Sequence, residues 1–249
     1  MTRHSALLVF AVRAAIVVAI LALWEIVARS GWLFRDVVPT LAVIARAIVR
    51  LLADPGFYAN LGVTAAEIAA ALVIGGLAGL GVGLLLGSSR FLSRAYEAFI
   101  YYLGPTPKII FFPIMILWFG VGAGSKIAMG ALSCFFPIAI SVAAGMRQIP
   151  PVLIRVGRSF RAAPWQMTRT IYLPAMRTPI VNGVRLGLGI AIIGTLLAET
   201  KLSNRGLGYL VIQAYATFDM PKMYALLIVL FVLAIGLNAL IGRHATSRV

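Results

Sequence analysis

The sequence of 249 residues is poor in cysteine, histidine and acidic side chains. It contains one cysteine, two histidines and seven Asp or Glu residues, and only 12% of its residues are charged. A lone cysteine excludes an intrachain disulfide framework, and histidines at opposite ends of the chain, His4 and His244, cannot build a zinc cluster. With no nucleophile elbow and no paired intramembrane carboxylates, the sequence predicts no catalytic residues and no metal site.

A phosphate-binding loop is also missing. Residues 120–126, GVGAGSK, resemble one superficially, but that motif needs adjacent Gly and Lys, a glycine five residues before the second glycine, and a preceding strand. The chain is therefore predicted to hold no nucleotide and no cofactor of its own. Any energy source must be an ion gradient or another subunit.

Long apolar stretches are abundant, since 61% of the residues are hydrophobic and the mean hydropathy is +1.00. Soluble domains have about 45–50% apolar and about 25% charged residues, so the composition favours a membrane protein. Six segments can cross roughly 30 Å of hydrocarbon at about 1.5 Å per residue. They are 7–28, 62–87, 100–121, 125–146, 179–198 and 223–242. We predict an all-α membrane protein with six transmembrane helices in a single domain, residues 1–249.

The first span could be mistaken for a cleaved signal peptide, because it closely follows a basic N-terminus. Its apolar run is too long, however, and Trp24-Glu25 stands where small cleavage-site residues would be expected. We therefore predict a retained spanning helix.

Basic residues outnumber acidic ones by 22 to 7, which gives a formal net charge of +15. Membrane proteins concentrate Lys and Arg in cytoplasmic loops. If both termini are cytoplasmic, thirteen basic residues, including Arg248, lie inside and eight, including Arg35 and Lys126, lie outside. This bias predicts cytoplasmic termini. A nucleic-acid binder would need a basic face on a soluble domain, for which these short loops leave no room, so the predicted surroundings are a lipid bilayer and no nucleic acid.

Two segments outside the spans stand out. The basic loop, residues 147–178, contains six arginines and no acid. The other segment lies between the first two spans, begins near Pro39 and ends at Asp54-Pro55-Gly56. Its apolar residues recur at helical spacing and are Leu41, Ile44, Ile48, Leu51 and Leu52. This pattern predicts an amphipathic helix along the membrane surface.

Small residues recur every four positions in the second span. They are Ala71, Gly75, Gly79, Gly83 and Gly87, and the fifth span repeats the pattern more weakly with Gly183, Gly187, Ala191 and Thr195. Such a stripe lets another helix approach to backbone contact. Two interpretations remain open, namely packing inside the bundle, or a subunit interface or sliding surface used in gating.

Three ionisable residues lie within or next to the hydrocarbon, namely Glu67, Arg185 and Glu199. Each would cost roughly 2.5–3.5 kcal/mol at a helix centre, so they are expected to face the protein interior and find partners. They are our candidates for the solute pathway. For Arg185 and Glu199 the alternative is a position near the membrane interface.

Prolines precede and break the third span. Pro105, Pro107 and Pro113 are close together, with Lys108 between them. Because proline removes an amide donor and kinks a helix, neighbouring groups or water must satisfy the freed carbonyls. This helix is therefore expected to border the protein interior.

The basic loop resembles the cytoplasmic loop of permease subunits of bacterial ABC importers. That loop has the pattern Glu-Ala-Ala, three residues, Gly, nine residues, Ile, one residue, Leu-Pro. Its second half is present as Ile171-Tyr172-Leu173-Pro174, and residues 159–166, SFRAAPWQ, also look like the family's segment. In this register Arg155, Val156 and Gly157 occupy the Glu-Ala-Ala positions and Arg161 occupies the glycine position.

Further resemblance is to the nitrate/sulfonate/taurine-type branch of these permeases. It rests on residues 113–120, PIMILWFG, residues 135–138, FFPI, and Glu199 followed by Gly206-Leu207-Gly208. The resemblance implies a type I ABC importer permease fold in a bacterial inner membrane. It also implies that the chain is not an enzyme, and that the loop contacts an ATPase through these residues: Arg155, Gly157, Arg158, Ser159, Arg161, Ala162, Ala163, Ile171, Leu173 and Pro174.

The resemblance also implies partners. A second permease copy, or a paralogue, would complete the pathway, and a cytoplasmic ABC ATPase pair would hold ATP and Mg²⁺. A periplasmic substrate-binding protein would deliver a small solute, which we expect to be anionic. Arginine at the Glu and Gly positions indicates a dedicated ATPase with an acidic groove, because arginine forms charged hydrogen bonds with carboxylates; loop degeneration is the alternative.

Two other classes of function remain open from the sequence. An autonomous ion-coupled secondary transporter or channel would move solute without an ATPase and tolerate disruption of residues 155–174. A basic membrane scaffold would recruit a partner through the same loop without any solute flux.

Overall fold

The computed structural model describes residues 3–32 and 37–246, and the secondary structure in that part of the chain is helical. Arg35 and Arg248, which enter the charge count, lie outside the described residues. The helices are α1 Arg3–Ser30, α2 Leu41–Ala53, α3 Pro55–Ser88, α4 Arg90–Leu103, α5 Phe112–Phe119, α6 Ala123–Arg147, α7 Pro151–Ser159, α8 Pro164–Met167, α9 Leu173–Ala175, α10 Arg177–Lys201, α11 Leu207–Ala216 and α12 Met220–Thr246. A 3₁₀ turn, Lys108–Phe111, precedes α5, and a π turn, Thr168–Tyr172, joins α8 to α9.

Five helices of the described chain are long and apolar enough to cross a membrane. They are Leu8–Ser30 of α1, all of α3, α6 and α10, and Met220–Leu240 of α12. A sixth candidate is the bent pair Arg90–Leu103 and Lys108–Phe119. The all-α membrane fold is therefore confirmed, and six spans result if the bent pair forms one of them. The cytoplasmic placement of the termini stays a prediction.

The third span, predicted over 100–121 and expected to be broken by prolines, corresponds to the bent pair of α4 and the segment Lys108–Phe119. The chain forms α4 from Arg90 and then bends by 92° before Lys108. Pro105 and Pro107 cause the break, because each removes a backbone amide donor and disfavours helical geometry in the residue before it. The Lys108 amine donates to the carbonyls of Gly104, at 2.5 Å, and Thr106, at 3.2 Å, so a protein group satisfies carbonyls at the bend.

The described contacts group into two compact units. One comprises Met1–Tyr58 and Leu210–Leu230, and the other comprises Ala59–Tyr209 and Phe231–Val249. The single transmembrane domain expected for residues 1–249 stays a prediction.

In the first unit, α1 fixes the start of α2. The Trp24 indole donates to the Pro39 carbonyl at 3.1 Å, and the Glu25 carboxylate accepts from the Leu41 amide at 3.0 Å. The second bond satisfies one of the free amides at the α2 N-terminus. The predicted helix is confirmed as α2, and Ile44 and Leu51 on its apolar side are buried. Its predicted position along the membrane surface stays a prediction.

In the second unit, the small-residue stripe of α3 packs against α6 of the same chain. A Cβ added to Gly79 would lie 2.7 Å from the Phe135 carbonyl oxygen, and one added to Gly83 would lie 2.6 Å from Val142 Cβ. Gly75 and Gly87 meet α6 just as closely. The structure thus places this stripe inside the bundle.

Helix α10 packs against α6 through the weaker stripe of the fifth span. A Cβ on Gly187 would lie 2.7 Å from Ile138 Cδ1, and one on Gly183 would lie 2.9 Å from Ser141 Cβ. Ile138 and Cys134 of α6 are buried between the helices. Helix α6 is therefore the centre of this unit, with α3 and α10 in direct contact with it.

Gly83→Ala is expected to destabilise the fold by about 1–3 kcal/mol, because the added methyl overpacks the contact with α6. Gly81→Ala on the same helix is the matched control, since nothing lies within 4 Å of its Cβ. Alanine at that position should be neutral or stabilise α3 by up to about 1 kcal/mol. Thermal unfolding of the purified full chain measures both. Equal midpoints for the two variants would contradict the packing described here.

Candidate functional site: the basic loop and a buried polar cluster

The basic loop folds into α7 followed by a tight turn. Pro151 occupies the first position of α7, where its missing amide costs no helical hydrogen bond. The helix ends in a Schellman motif, in which the Ala162 amide donates to the Gly157 carbonyl at 3.0 Å and the Arg161 amide donates to the Arg158 carbonyl at 2.9 Å.

Arg161 occupies the left-handed position of this motif, with φ of +51°. Glycine is the usual residue there because a side chain in that conformation costs about 1–2 kcal/mol. The physical reason for the family's glycine is thus visible in the turn. Arg161 adopts this conformation at the position where the family's pattern has glycine, so the turn forms with a strained residue.

Arg161→Gly is expected to stabilise the loop by about 1 kcal/mol, since glycine adopts this conformation without strain. Arg158→Gly makes the same chemical change within α7 and should instead destabilise it by about 1 kcal/mol. Hydrogen exchange of the α7 amides in the full chain would detect both changes. Slower exchange in Arg158→Gly than in Arg161→Gly would be incompatible with the strained turn.

The close approach in this loop occurs at Gly157. A Cβ at this position would lie 2.6 Å from Ile171 Cδ1 and would also collide with Met167 Sδ. The absence of a side chain therefore lets α7 pack directly on the α8–α9 segment. Ile171 in turn packs against the buried residues around Met176 that lead into α10.

The outer surface of the loop combines positive charge with two large aromatic side chains. Phe160 is 83% exposed and Trp165 is 67% exposed. Four exposed arginines of the loop have no carboxylate within 4 Å among the described residues. These are Arg155, Arg158, Arg161 and Arg169. Arg147 differs, because it pairs with Glu97 of α4 at 2.5 Å.

Several predicted loop residues serve the local fold. The Ser159 hydroxyl donates to the Arg155 carbonyl at 3.0 Å, and the Ala163 amide donates to the Gln166 side chain at 2.8 Å. Ala162 is half-buried, whereas Leu173 and Pro174 form α9 immediately before α10. The loop thus runs without a flexible linker into a spanning helix.

A buried polar cluster lies at the other end of α10. The Glu199 carboxylate is fully buried and accepts from the Thr64 hydroxyl at 2.7 Å and from the Gly208 amide at 2.6 Å. Thr64 in turn accepts from the Leu207 amide at 2.8 Å. Since Leu207 begins α11, one carboxylate of α10 ties that helix start to α3.

Lys126 belongs to the same cluster. Its side chain is 1% exposed, and its amine donates to the Leu202 carbonyl at 2.6 Å and to the Val121 carbonyl. Lys126 is therefore a buried residue in the first turn of α6, and its predicted place on the outer side of the membrane stays a prediction. Glu67 of α3 lies beside Glu199, so the expectation of no paired intramembrane carboxylates is wrong: the fold brings together two acids that are far apart in the sequence. The Glu67 Oε2 atom has no hydrogen-bond partner among the described residues.

Comparison with known sequences gives the family. Residues 71–246 match the family of binding-protein-dependent transport system inner membrane components. The chain belongs to this family. One relative is SsuC of Bacillus subtilis (strain 168), which is named as a putative aliphatic sulfonates transport permease protein. The two sequences are 30% identical over 84% of this permease and 76% of SsuC. The taurine transport system permease protein TauC of Escherichia coli (strain K12) is 31% identical over 76% of the permease and 70% of TauC.

A solved structure shares the fold of the permease. The inward-facing MetNI methionine ABC transporter matches with a TM-score of 0.63 and 22% identity, over 83% of the permease and 96% of the matched chain. The family match and the relatives SsuC and TauC confirm the resemblance to ABC importer permeases of the sulfonate/taurine/nitrate branch. The chain is a permease subunit and not an enzyme.

The three pathway candidates of the permease lie in two places. Glu67 and Glu199 share the buried cluster, whereas Arg185 is half-buried and its guanidinium Nε donates to the Asn238 side chain of α12 at 3.2 Å. Sequence reasoning missed Thr64 and Lys126, because neither belongs to a recognisable motif. Their separation along the chain from Glu199 gave no signal that they would meet it.

Proposed function

We propose that this permease is the transmembrane subunit of an ATP-driven importer in a bacterial inner membrane. It forms the solute pathway with a second permease copy or a paralogue, and receives solute from a periplasmic binding protein. The observation that supports this best is the surface of the basic loop. Two exposed aromatic side chains lie among arginines that have no carboxylate within 4 Å in the described chain. This is the composition of a protein-binding surface, in which aromatic residues and arginine supply most of the binding energy.

The packing of the loop explains how movement would reach the pathway. Gly157 brings α7 into direct contact with Met167 and Ile171. We therefore expect α7, α8 and α9 to move as one body. That body continues into α10, which contacts α6 through its small residues and holds the Glu199 cluster at its far end. Displacement of the loop by ATPase closure would therefore shift α10 along its length.

The solute is a small anion, such as a sulfonate or nitrate. Support comes from the names of three relatives, SsuC, TauC and the nitrate import permease protein NrtB of Synechococcus elongatus, which is 26% identical over 88% of this chain. Arg185 adds a positive charge that no carboxylate within 4 Å neutralises in the described chain. A half-buried guanidinium with only an amide partner can attract an anion.

A transport assay tests this function. The permease, copurified with its ATPase and supplied with its binding protein, should accumulate labelled sulfonate or nitrate in proteoliposomes only when ATP is present. Uptake by the permease alone, driven by a proton or sodium gradient, would instead show an autonomous ion-coupled transporter. Binding of the ATPase without any flux would indicate a scaffold.

The arginines at positions 155 and 161 favour a dedicated ATPase with an acidic groove. Arg161→Gly should weaken binding to the cognate ATPase about tenfold, which corresponds to about 1.4 kcal/mol, while Arg161→Lys keeps the charge and most of the affinity. Because glycine relieves the strain at this turn, lost affinity in Arg161→Gly cannot come from a disrupted loop. Unchanged affinity for both the cognate and an unrelated importer ATPase would favour loop degeneration.

A further inference from the structure

A cavity of about 370 Å³ in the first unit is lined by charged residues of both signs. Arg46 and Arg50 come from one face of α2, and Lys222 comes from the first turn of α12. Two acids, Asp54 and Asp219, complete the charged lining. Neither residues 120–126 nor the basic loop contributes to it, so this cavity is separate from the features described above.

The cations of the cavity form no ion pair within the described chain, so their donors can bind a ligand. Arg46 bonds only weakly, through Nε to the Ala42 carbonyl at 3.4 Å. Within the described chain no carboxylate lies within 4 Å of the charged nitrogens of Arg46, Arg50 or Lys222.

Each acid of the cavity is engaged through one oxygen. Asp54 Oδ1 accepts from the Gly56 amide at 2.9 Å, and Asp219 Oδ1 accepts from the Lys222 amide at 3.1 Å. These bonds orient both carboxylates, which line the same cavity as the cations without forming an ion pair with them in the described chain. Neither Oδ2 atom accepts a side-chain hydrogen bond within the described chain, so each can accept one from a ligand.

The cavity lies where spanning helices begin and end. Helix α2 follows the end of α1 at Ser30 and leads directly into α3 at Pro55, while α12 starts at Met220. Since Leu8–Ser30, Pro55–Ser88 and Met220–Leu240 are candidate spans, we expect their ends near Ser30, Pro55 and Met220 at the membrane boundary, where lipid headgroups and soluble ions both have access. Apolar walls from α2 and α12, including Leu51 and Pro221, complete the lining.

We propose that this cavity binds a small zwitterion, which combines an oxyanion with an ammonium group. The guanidinium groups of Arg46 and Arg50, with the Lys222 amine, hold the sulfonate or phosphate oxygens. The free oxygens of Asp54 and Asp219 accept hydrogen bonds from the ammonium group. A purely anionic ligand would meet two carboxylates and a purely cationic one three positive charges, so the mixed lining favours a ligand with both.

Two sources offer this chemistry, namely the headgroup of phosphatidylethanolamine and a soluble amino-oxyanion such as 2-aminoethanesulfonate. The proposal does not depend on ATPase coupling, so it can hold even if the transport proposal fails. Binding to the purified full chain is measured separately for each source. Native mass spectrometry compares the binding of short-chain phosphatidylethanolamine with that of phosphatidylglycerol. Isothermal titration calorimetry measures the binding of 2-aminoethanesulfonate.

Saturable binding of at least one zwitterion is expected, and the probe that binds identifies the source. The double variant Arg46→Gln, Arg50→Gln should lower that affinity at least tenfold. Asp54→Asn keeps the Oδ1 acceptor for the Gly56 amide but removes the charge, and should weaken binding of the zwitterion while strengthening binding of phosphatidylglycerol.

The control is Arg90→Gln with Arg94→Gln, which removes two exposed arginines of α4 that do not line the cavity, and it should bind as the wild type. Thermal unfolding of each variant shows that the fold is retained. No saturable binding of either zwitterion, or equal affinity in the wild type and the Arg46/Arg50 variant, would overturn the proposal. Stronger binding of the zwitterion to Asp54→Asn would also overturn it.

Discussion

Replacing Phe160 and Trp165 together with alanine is expected to abolish capture of the ATPase partner. Each large aromatic anchor at the centre of a protein interface contributes about 2 kcal/mol or more, or about 30-fold in affinity, and two such losses weaken binding by about 1,000-fold. Both side chains project from a loop that Gly157 packing holds in shape. Their removal should therefore leave the loop folded. Copurification of the ATPase with the tagged permease measures the effect.

The matched control removes an equally exposed Phe and Trp elsewhere. Phe91 of α4 is 77% exposed and Trp118 of α5 is 70% exposed, and both lie outside the basic loop. The double variant Phe91→Ala, Trp118→Ala should retain the ATPase as the wild type does. Equal retention by the control and by Phe160→Ala, Trp165→Ala would mean that the aromatic pair is not the docking surface.

The second large effect is expected from Glu199→Ala. This change leaves the Thr64 hydroxyl and the Gly208 amide without their acceptor and deprives the buried Lys126 amine of nearby negative charge. Removing one partner from a buried charged network costs about 3–5 kcal/mol. The variant should show a sharply lower unfolding midpoint or fail to accumulate in the membrane.

Two further variants keep this prediction testable if Glu199→Ala does not fold. Gly206→Ala should also destabilise, because Gly206 has φ of +102° and its Cβ would lie 2.5 Å from Glu199 Cδ. Glu97→Gln is the control, since it breaks a partly exposed ion pair with Arg147 and should cost at most about 1 kcal/mol. If Gly206→Ala and Glu97→Gln unfold at the same temperature, the cluster does not hold α11 in place.

The long apolar helices and the glycine stripe follow from the sequence because the helices depend on apolar length and the stripe on residue spacing. A run of about 20 apolar residues can only be satisfied in lipid by a helix, and glycines four residues apart must share one helix face. The partner of the stripe could not be predicted, because any helix with a smooth surface would fit. The structure supplies α6 as that partner.

The features that sequence reasoning missed depend on long-range contacts or on backbone geometry. Lys126 looks like a loop charge, yet the carbonyls of Val121 and Leu202 draw it into the interior. The sequence shows that Arg161 occupies the family's glycine position, but only the structure shows that this position requires a positive φ. The exposure of Phe160 and Trp165 likewise depends on how α7 packs on the following segment. Motif order identified the family, whereas packing decided which loop side chains are available to a partner.

Uptake of labelled solute into proteoliposomes that contain the permease with or without its copurified ATPase tests the proposed function most directly. With the periplasmic binding protein supplied, uptake of a sulfonate or nitrate should require both the ATPase and ATP, and should disappear in Phe160→Ala, Trp165→Ala. ATPase-independent uptake by the permease alone, undiminished in that variant, would contradict an ATP-driven importer coupled through the basic loop.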